Sequence, residues 1–118
     1  MEKIYEQTML FDFYGELLTE HQRSIYEDAV YNDMSLGDIA QERGISRQGV
    51  HDLIKRCDKI LQDYESKLHL VERFAKAKAT VGEIEKLTRV DNEADDFLEL
   101  RKRLKAIKKL SEELLDEL

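Results

Sequence analysis

A short stretch near the middle of the chain carries side chains whose types and spacing suit contact with a nucleic acid. Arg47 could bond the O6 and N7 atoms of guanine, and Gln48 could address adenine. Lys55 and Arg56 could hold phosphates, and a serine at a helix N-terminus lies beside backbone N–H groups that also bind phosphate. The candidate nucleic-acid-binding residues are Ser46, Arg47, Gln48, His51, Lys55 and Arg56.

An acidic residue, Asp52, stands among these groups. Its carboxylate could accept a hydrogen bond from the amino group of cytosine, but it would repel a nearby phosphate. The same residues would also make an ordinary solvated face of a surface helix. In that case the hairpin that holds them would be a structural or protein-binding unit, and both interpretations stay open on these residues alone.

The elements that must position these side chains lie within the segment SLGDIAQERGISRQGVHDLIKR, Ser35 to Arg56. Ser35 is a favourable N-cap for a helix over 36–43, and Gly44 suits the left-handed conformation that ends it. Ser46 then caps a second helix. Small and apolar residues recur where two such helices must touch, and this spacing is typical of a helix-turn-helix motif. The expected contact residues are Ala40, Ile45, Val50 and Leu53.

The helices before this hairpin are predicted from apolar spacing and from capping residues. The first is expected over 2–14 with a break at Gly15, and Thr19 with Gln22 has the spacing of a capping box. A second helix would then run to about Tyr31. The expected inner faces are Ile4, Met9, Leu10, Phe13 and Leu17 in the first helix, and Ile25, Tyr26, Ala29 and Val30 in the second.

The apolar stripe through Cys57 continues beyond the hairpin with no break signal, so this helix is predicted to reach about Phe74. Thr80 and Glu83 have capping-box spacing and indicate another helix start. A last helix is predicted over 93–118, with an apolar stripe in heptad register. The residues of that stripe are Phe97, Leu100, Leu104, Ile107, Leu114 and Leu118.

Composition supports an all-α fold, with a helix-turn-helix core and a long helical C-terminal extension. The 118 residues include no proline and only five glycines, and 38% of them are charged. The expected division is a helix-turn-helix domain over 1–74, with its hairpin at 36–57, and a helical extension over 75–118.

The formal net charge of −7 is unevenly distributed. Residues 1–34 contain eight acidic and two basic side chains, whereas residues 35–60 contain four acidic and five basic ones. Most of the negative charge therefore precedes the hairpin, which is itself slightly basic. This distribution keeps nucleic acid possible as a partner, although one excess positive charge is a small electrostatic attraction.

The segment from Thr19 to Leu61, including LTEHQRSIY and ISRQGVHDLIKRCDKIL, resembles the DNA-binding region 4 of bacterial sigma factors. Across nearly the whole chain the sequence is similar to the YlxM family of Gram-positive bacteria, as LFDFYGELLTEHQ and YESKLHLVERF show. Residues 1–74 match well, and the part after about Phe74 is less distinctive. That resemblance implies a helix-turn-helix protein, with no enzymatic activity, whose gene neighbours those of the signal recognition particle. It implies a regulatory or accessory role in that protein-targeting pathway, with the particle's protein or RNA as a partner.

Other functions receive little support from the sequence. His21, His51 and His69 lack further ligands at metal-binding spacing, no nucleophile has a base nearby, and no cofactor is expected. Cys57 is expected to be a buried apolar residue, not a reactive thiol. No secretory signal or membrane span is expected, which favours a cytoplasmic protein.

Two charged stretches near the C-terminal end have alternative interpretations. RKRLKAIKK, residues 101–109, is either a solvated helix face or a surface for RNA or an acidic partner. The acidic residues that follow it are unfavourable at a helix C-terminus unless a partner neutralises them. The long apolar stripes before and within this region could pack on each other or pair across a homodimer, which is the favoured state.

Overall fold

The computed structural model describes residues 2–89 and 97–118 and shows an all-α fold, which confirms the predicted fold class. The chain divides into two compact units, Met1–Val71 and Glu72–Leu118. The helices are α1 (Glu2–Tyr14), α2 (Glu20–Val30), α3 (Leu36–Arg43), α4 (Arg47–Leu68), α5 (Leu70–Leu87) and α6 (Phe97–Glu117), with a 3₁₀ turn at Gly15–Leu17 between α1 and α2.

The local signals at the helix ends act as the sequence predicts. Thr19 accepts a hydrogen bond from the backbone N–H of Gln22, and the Gln22 side chain accepts one from the backbone N–H of Thr19, so the capping box is complete. Ser35 accepts from the N–H of Asp38 at 3.1 Å and starts α3. These bonds satisfy backbone donors that have no partner inside their own helices.

The core of the first unit consists of two clusters that share α4. One contains Leu10, Tyr14, Leu18, Tyr26, Cys57 and Leu61, and the other contains Ile25, Ile39, Ala40 and Val50. The predicted inner face of α2 is confirmed at Ile25 and Tyr26, which are fully buried. The prediction for α1 is wrong at Ile4 and Leu17, which are 56% and 54% exposed. The prediction is confirmed at Leu10, which is buried. Because α1 gives way to the 3₁₀ turn after Tyr14, Leu18 is buried in place of Leu17, and Tyr14 is buried as well.

The predicted continuous helix from Ser46 to about Phe74 is wrong, because the chain breaks at His69 with a φ of 55°. The hydroxyl of Tyr14 donates to Glu65 Oε1 at 2.5 Å and accepts the N–H of Leu70 at 3.0 Å. Glu65 Oε1 also accepts the N–H of Val71 at 3.0 Å. These acceptors satisfy the first free N–H groups of α5, so the helix can restart immediately after the break.

The predicted helix start at Thr80 is also wrong, since α5 runs through this residue without interruption. Its hydroxyl donates to the carbonyl of Lys76, one turn earlier in the same helix, and does not act as an N-cap. The predicted start of the last helix at residue 93 lies outside the described residues. In the described part α6 begins at Phe97, and the expected stripe is exposed at Phe97, Leu104 and Leu118.

A partly buried ion pair joins α3 to α2. Arg43 Nη2 donates to Asp28 Oδ2 at 2.7 Å and to Ser24 Oγ at 2.6 Å. Asn32 donates to the same carboxylate at 2.9 Å. The hydrogen bond from Arg43, followed in size by the one from Asn32, holds the pKa of Asp28 below its ordinary value. Because the pair ties the first helix of the hairpin to α2, it stabilises the position of the hairpin in the unit.

Replacing Asp28 with asparagine should lower the free energy of unfolding by about 1–3 kcal/mol at neutral pH, since Arg43 would lose its charged acceptor. A lowered folded-state pKa means that this contribution is present above the ordinary pKa of about 3.9 and is lost as the pH falls through the folded-state value. Urea unfolding at neutral and strongly acidic pH measures both effects. Glu42→Gln, an exposed change on α3, is the control, and an equal loss in acid would contradict the prediction.

Replacing Tyr14 with phenylalanine should destabilise the break between α4 and α5 by about 1–3 kcal/mol, because the N–H of Leu70 would lose its acceptor. Urea unfolding and amide exchange at Leu70 would report the loss. Tyr5→Phe is the matched control, because Tyr5 is 66% exposed. Unchanged exchange at Leu70 in the Tyr14→Phe variant would show that the hydroxyl does not hold the break.

Candidate nucleic-acid interface

The hairpin that carries the candidate residues consists of α3, a tight turn and the start of α4. Gly44 ends α3 with a φ of 68°, a left-handed conformation that glycine adopts without steric cost. The N–H of Ile45 then donates to the carbonyl of Ala40 at 3.1 Å. Ser46 follows as the N-cap of α4, so the turn occupies only the residues predicted for it.

Packing determines which face of α4 points outwards. Val50, Cys57 and Leu61 are fully buried, with Leu53 and Ile54 packed against the clusters. Since α1, α2 and α3 all lie against this inner face, the opposite face of α4 is left to solvent. The outward positions therefore follow from the same helical spacing that fills the core.

The six predicted site residues all lie on exposed positions of α4 or at its N-cap. The structure places Ser46, Arg47, Gln48, His51, Lys55 and Arg56 together over the first three turns of the helix. All six therefore lie at one end of α4, where their side chains are open to solvent.

Ser46 has a defined structural role. Its hydroxyl accepts the N–H of Gly49 at 2.9 Å. Gly49 makes room for this contact, because a Cβ at that position would lie 3.0 Å from Ser46 Oγ. The acceptor side of the hydroxyl is thus engaged in capping, while its proton remains available to a ligand.

Asp52 engages two of the candidate residues. Gln48 Nε2 donates to Asp52 Oδ1 at 2.9 Å, and His51 Nδ1 lies 3.6 Å from the same oxygen. All three side chains are on exposed positions. Contact between Gln48 and a base would therefore exchange one hydrogen bond for another, which lowers the net gain from that contact.

The cationic side chains on this face differ from Gln48 and His51, which lie beside Asp52. Within residues 2–89 and 97–118, Arg47, Lys55 and Arg56 form no ion pair. Lys59 continues the exposed face one turn further and is likewise without an ion pair in this part of the chain. The sequence reasoning missed Lys59, although the spacing of Gln48, Asp52, Lys55 and Lys59 could have revealed it.

An open groove of about 480 Å³ lies beside the start of α4, lined by Leu36, Arg47, Gln48 and His51. Leu36, the first residue of α3, is only partly buried. The groove combines one apolar wall with several hydrogen-bonding side chains. Such a surface suits contact with an extended ligand more than enclosure of a small molecule.

The single cysteine lies on the opposite, inner face of α4. Cys57 is fully buried, which confirms its predicted role as an apolar core residue. Burial, with a contribution from the neighbouring carboxylate of Asp58, raises the pKa of the thiol to about 11. The thiol is therefore protonated at neutral pH and is a poor nucleophile there.

Comparison with known proteins identifies the family. The family model of UPF0122, the helix-turn-helix proteins described as YlxM / p13 like, matches residues 1–102. The chain belongs to this family. A UPF0122 protein of Acetivibrio thermocellus is 41% identical over 116 residues, which cover 98% of this chain and 99% of the relative. A UPF0122 protein of Bacillus thuringiensis is 38% identical over 110 residues, covering 93% and 98% of the two chains.

The predicted resemblance to the YlxM family is thus confirmed, and the match continues well beyond residue 74. The family description names a helix-turn-helix protein and not an enzyme. Among the described residues no helix is both long and apolar enough to span a membrane. In the same part of the UPF0122 chain, no group of three or more His, Cys, Asp or Glu side chains is arranged to hold a metal ion.

Replacing Ser46 with alanine should lower the free energy of unfolding by about 1 kcal/mol, because the N–H of Gly49 would lose its capping acceptor. Ser46→Asp should retain most of the stability, since aspartate is an equally good N-cap. Thermal and urea unfolding of the two variants provide the comparison. Equal stability of the alanine variant and the wild type would show that the capping bond contributes nothing.

Proposed function

We propose that this protein is a DNA-binding regulatory protein that places the first turns of α4 in the major groove. The observation that carries the proposal is the set of exposed cations on α4, Arg47, Lys55 and Arg56, which form no ion pair within the described residues. Membership of a helix-turn-helix family supports the same docking mode, in which the second helix of the hairpin is the reader.

The side chains have distinct roles in this proposal. Arg47, at the first position of α4, contacts guanine in the groove, and Gln48 contacts adenine after it releases Asp52. Lys55 and Arg56 hold phosphates of the backbone. The hydroxyl of Ser46 and the N-terminal end of α4 meet another phosphate, and His51 lies at the edge of the same face.

The net charge of −7 does not prevent this contact. Eight of the acidic residues lie at positions 1–34, outside the hairpin, whereas residues 35–60 contain five basic and four acidic side chains. Asp52 is different because it lies on the reading face itself. It makes non-specific contact less favourable and so increases the dependence of binding on matched bases.

We further propose a regulatory or accessory role in protein targeting by the signal recognition particle. Support for this part comes from the family resemblance alone. An alternative within the same pathway is an accessory factor that binds the particle's protein or RNA and does not bind DNA. The position of Asp52, paired with Gln48 in the middle of the exposed face, favours the particle's protein as the partner, because a carboxylate there opposes the phosphate backbone of either DNA or RNA.

Fluorescence anisotropy with a mixed-sequence DNA duplex at about 50–200 mM salt tests DNA binding. With the two phosphates held by Lys55 and Arg56 neutralised, the log–log plot of affinity against salt should have a slope of about −1.8. A flat salt response, or no binding at about 50 mM salt, would contradict DNA binding.

The Arg47→Ala variant should weaken specific DNA binding by about 1–3 kcal/mol with little change in helicity, because Arg47 is exposed. Lys67→Ala is the matched control, since Lys67 is exposed on the same helix about 30 Å further along. Equal effects of the two changes would show that the start of α4 is not the reader. A collapse in helicity would instead show that Arg47 is structural.

Affinity capture from lysate, with and without nuclease treatment, separates the two candidate functions. A DNA-binding protein should recover DNA that is lost after DNase treatment. Recovery of the particle's RNA or protein, insensitive to DNase, would favour the accessory factor.

A further inference from the structure

The second unit contains an antiparallel pair of helices. Arg73 Nη2, near the start of α5, donates to the carbonyl of Glu117 at 2.9 Å, and Lys76 Nζ lies 2.6 Å from Glu117 Oε1. At the other end Arg103 Nη1 donates to the carbonyl of Arg89 at 2.6 Å. The start of α5 therefore lies beside the end of α6, and the two helices are tied together at both ends.

This helix pair has no interior. None of its described residues, 72–89 and 97–118, is buried. The two helices cover each other only on one side, where their apolar residues are partly buried. These are Ala77, Ile84 and Leu87 of α5 and Leu100, Ile107, Leu110 and Leu114 of α6.

Beside that covered side runs a second set of apolar residues that remains open. Val81 is 51% exposed, Phe97 is 76%, Leu104 is 67% and Leu115 is 71%. At 100° per residue, Phe97, Leu104 and Leu115 fall within about 20° of one another along α6. We name these four residues the seam.

The seam lies on one side of the helix pair. In both helices the seam residues are rotated from the covered residues in the direction of increasing residue angle, by about 70° in α5 and about 90° in α6. Two antiparallel helices that face each other turn in opposite senses for one observer, so rotations of the same sign bring both seam edges to the same side. Val81 of α5 therefore lies on the same side of the helix pair as the seam residues of α6.

The charges of α6 indicate which partner fits the seam. Residues 97–109 contain six basic and one acidic side chain, whereas residues 110–118 contain four acidic and no basic ones. Two copies of α6 related by a two-fold axis and running antiparallel would place each basic half beside an acidic half. Lys76 already pairs with Glu117, and the second copy would add basic side chains beside the other acidic residues at this end of α6.

The size of the surface is also sufficient. A helix pair about 30 Å long and about 20 Å wide offers about 600 Å² per copy, or about 1,200 Å² in total, which is the lower limit for a specific interface. Packing one helix pair on another produces a four-helix bundle, in which the seam residues occupy the centre.

We propose that the chain forms a two-fold symmetric dimer in which the seam of one copy covers the seam of a second copy, with the two α6 helices antiparallel. This inference is independent of the proposed DNA contact, which rests on other residues.

Sedimentation velocity of the full chain over about 1–100 µM tests the seam, with Leu104→Glu and Leu98→Glu as a matched pair. Leu104 and Leu98 are both 67% exposed on α6, but Leu98 lies about 120° around the helix from Leu104. Leu104→Glu should raise the dimer dissociation constant at least about tenfold, because each dimer loses two seam leucines. Leu98→Glu should leave it unchanged.

A wild-type chain that stays monomeric at every concentration would overturn the proposal and leave the seam to a different protein. Equal weakening by the two leucine variants would overturn the position of the seam. Circular dichroism of each variant checks that the helices persist, and a loss of helicity in Leu104→Glu is resolved by repeating the measurement with Leu104→Ser.

Charge reversal tests the antiparallel arrangement separately. Chains with Glu112→Lys should dimerise more weakly, as should chains with Arg101→Glu, because both residues lie beside the seam at 100° per residue. An equal mixture of the two should form heterodimers of nearly wild-type affinity, since the introduced lysine of one copy then lies beside the introduced glutamate of the other. If the first variant self-associates as strongly as the wild type, the antiparallel pairing is excluded. In a parallel pair each substituted residue would face the same residue of the other copy, so like charges would meet both before and after the change.

Discussion

The buried stripe of α4 is the constraint on which the first unit depends. Val50, Cys57 and Leu61 have no exposed surface, and three other helices pack against the face that contains them. Both hydrophobic clusters therefore share this helix. Because the stripe fixes the rotation of α4, it also decides which side chains reach solvent. The candidate interface is thus a consequence of the core.

Hydrogen bonds between helices fix their relative positions more closely than apolar packing alone. Asp58, next to Cys57 on α4, accepts hydrogen bonds from Tyr26 at 2.5 Å and from Gln7 at 3.0 Å. Burial and the adjacent carboxylate raise the pKa of Tyr26, so its hydroxyl remains a donor at neutral pH. One carboxylate therefore links α4 to both α1 and α2. These bonds fix the axial positions of the helices, whereas the apolar contacts determine their facing sides.

The helix ends that the sequence predicts correctly are decided within three or four residues, although the same spacing at Thr80 and Glu83 does not start a helix. Ser35, Gly44 and Ser46 act on backbone groups of their own turn, so their identities suffice. The break at His69 is different, because it depends on Tyr14, which is more than fifty residues away in sequence. The outward face of α4 could be predicted from periodicity. The pairing of Gln48 with Asp52 has the ordinary four-residue spacing, but choosing it among competing partners requires the side-chain positions.

The two units use charge in opposite ways. On α4 the cations are exposed and form no ion pair among the described residues, so they retain their attraction for a polyanion. On α6 basic and acidic halves follow each other along one helix, so a second copy can neutralise both.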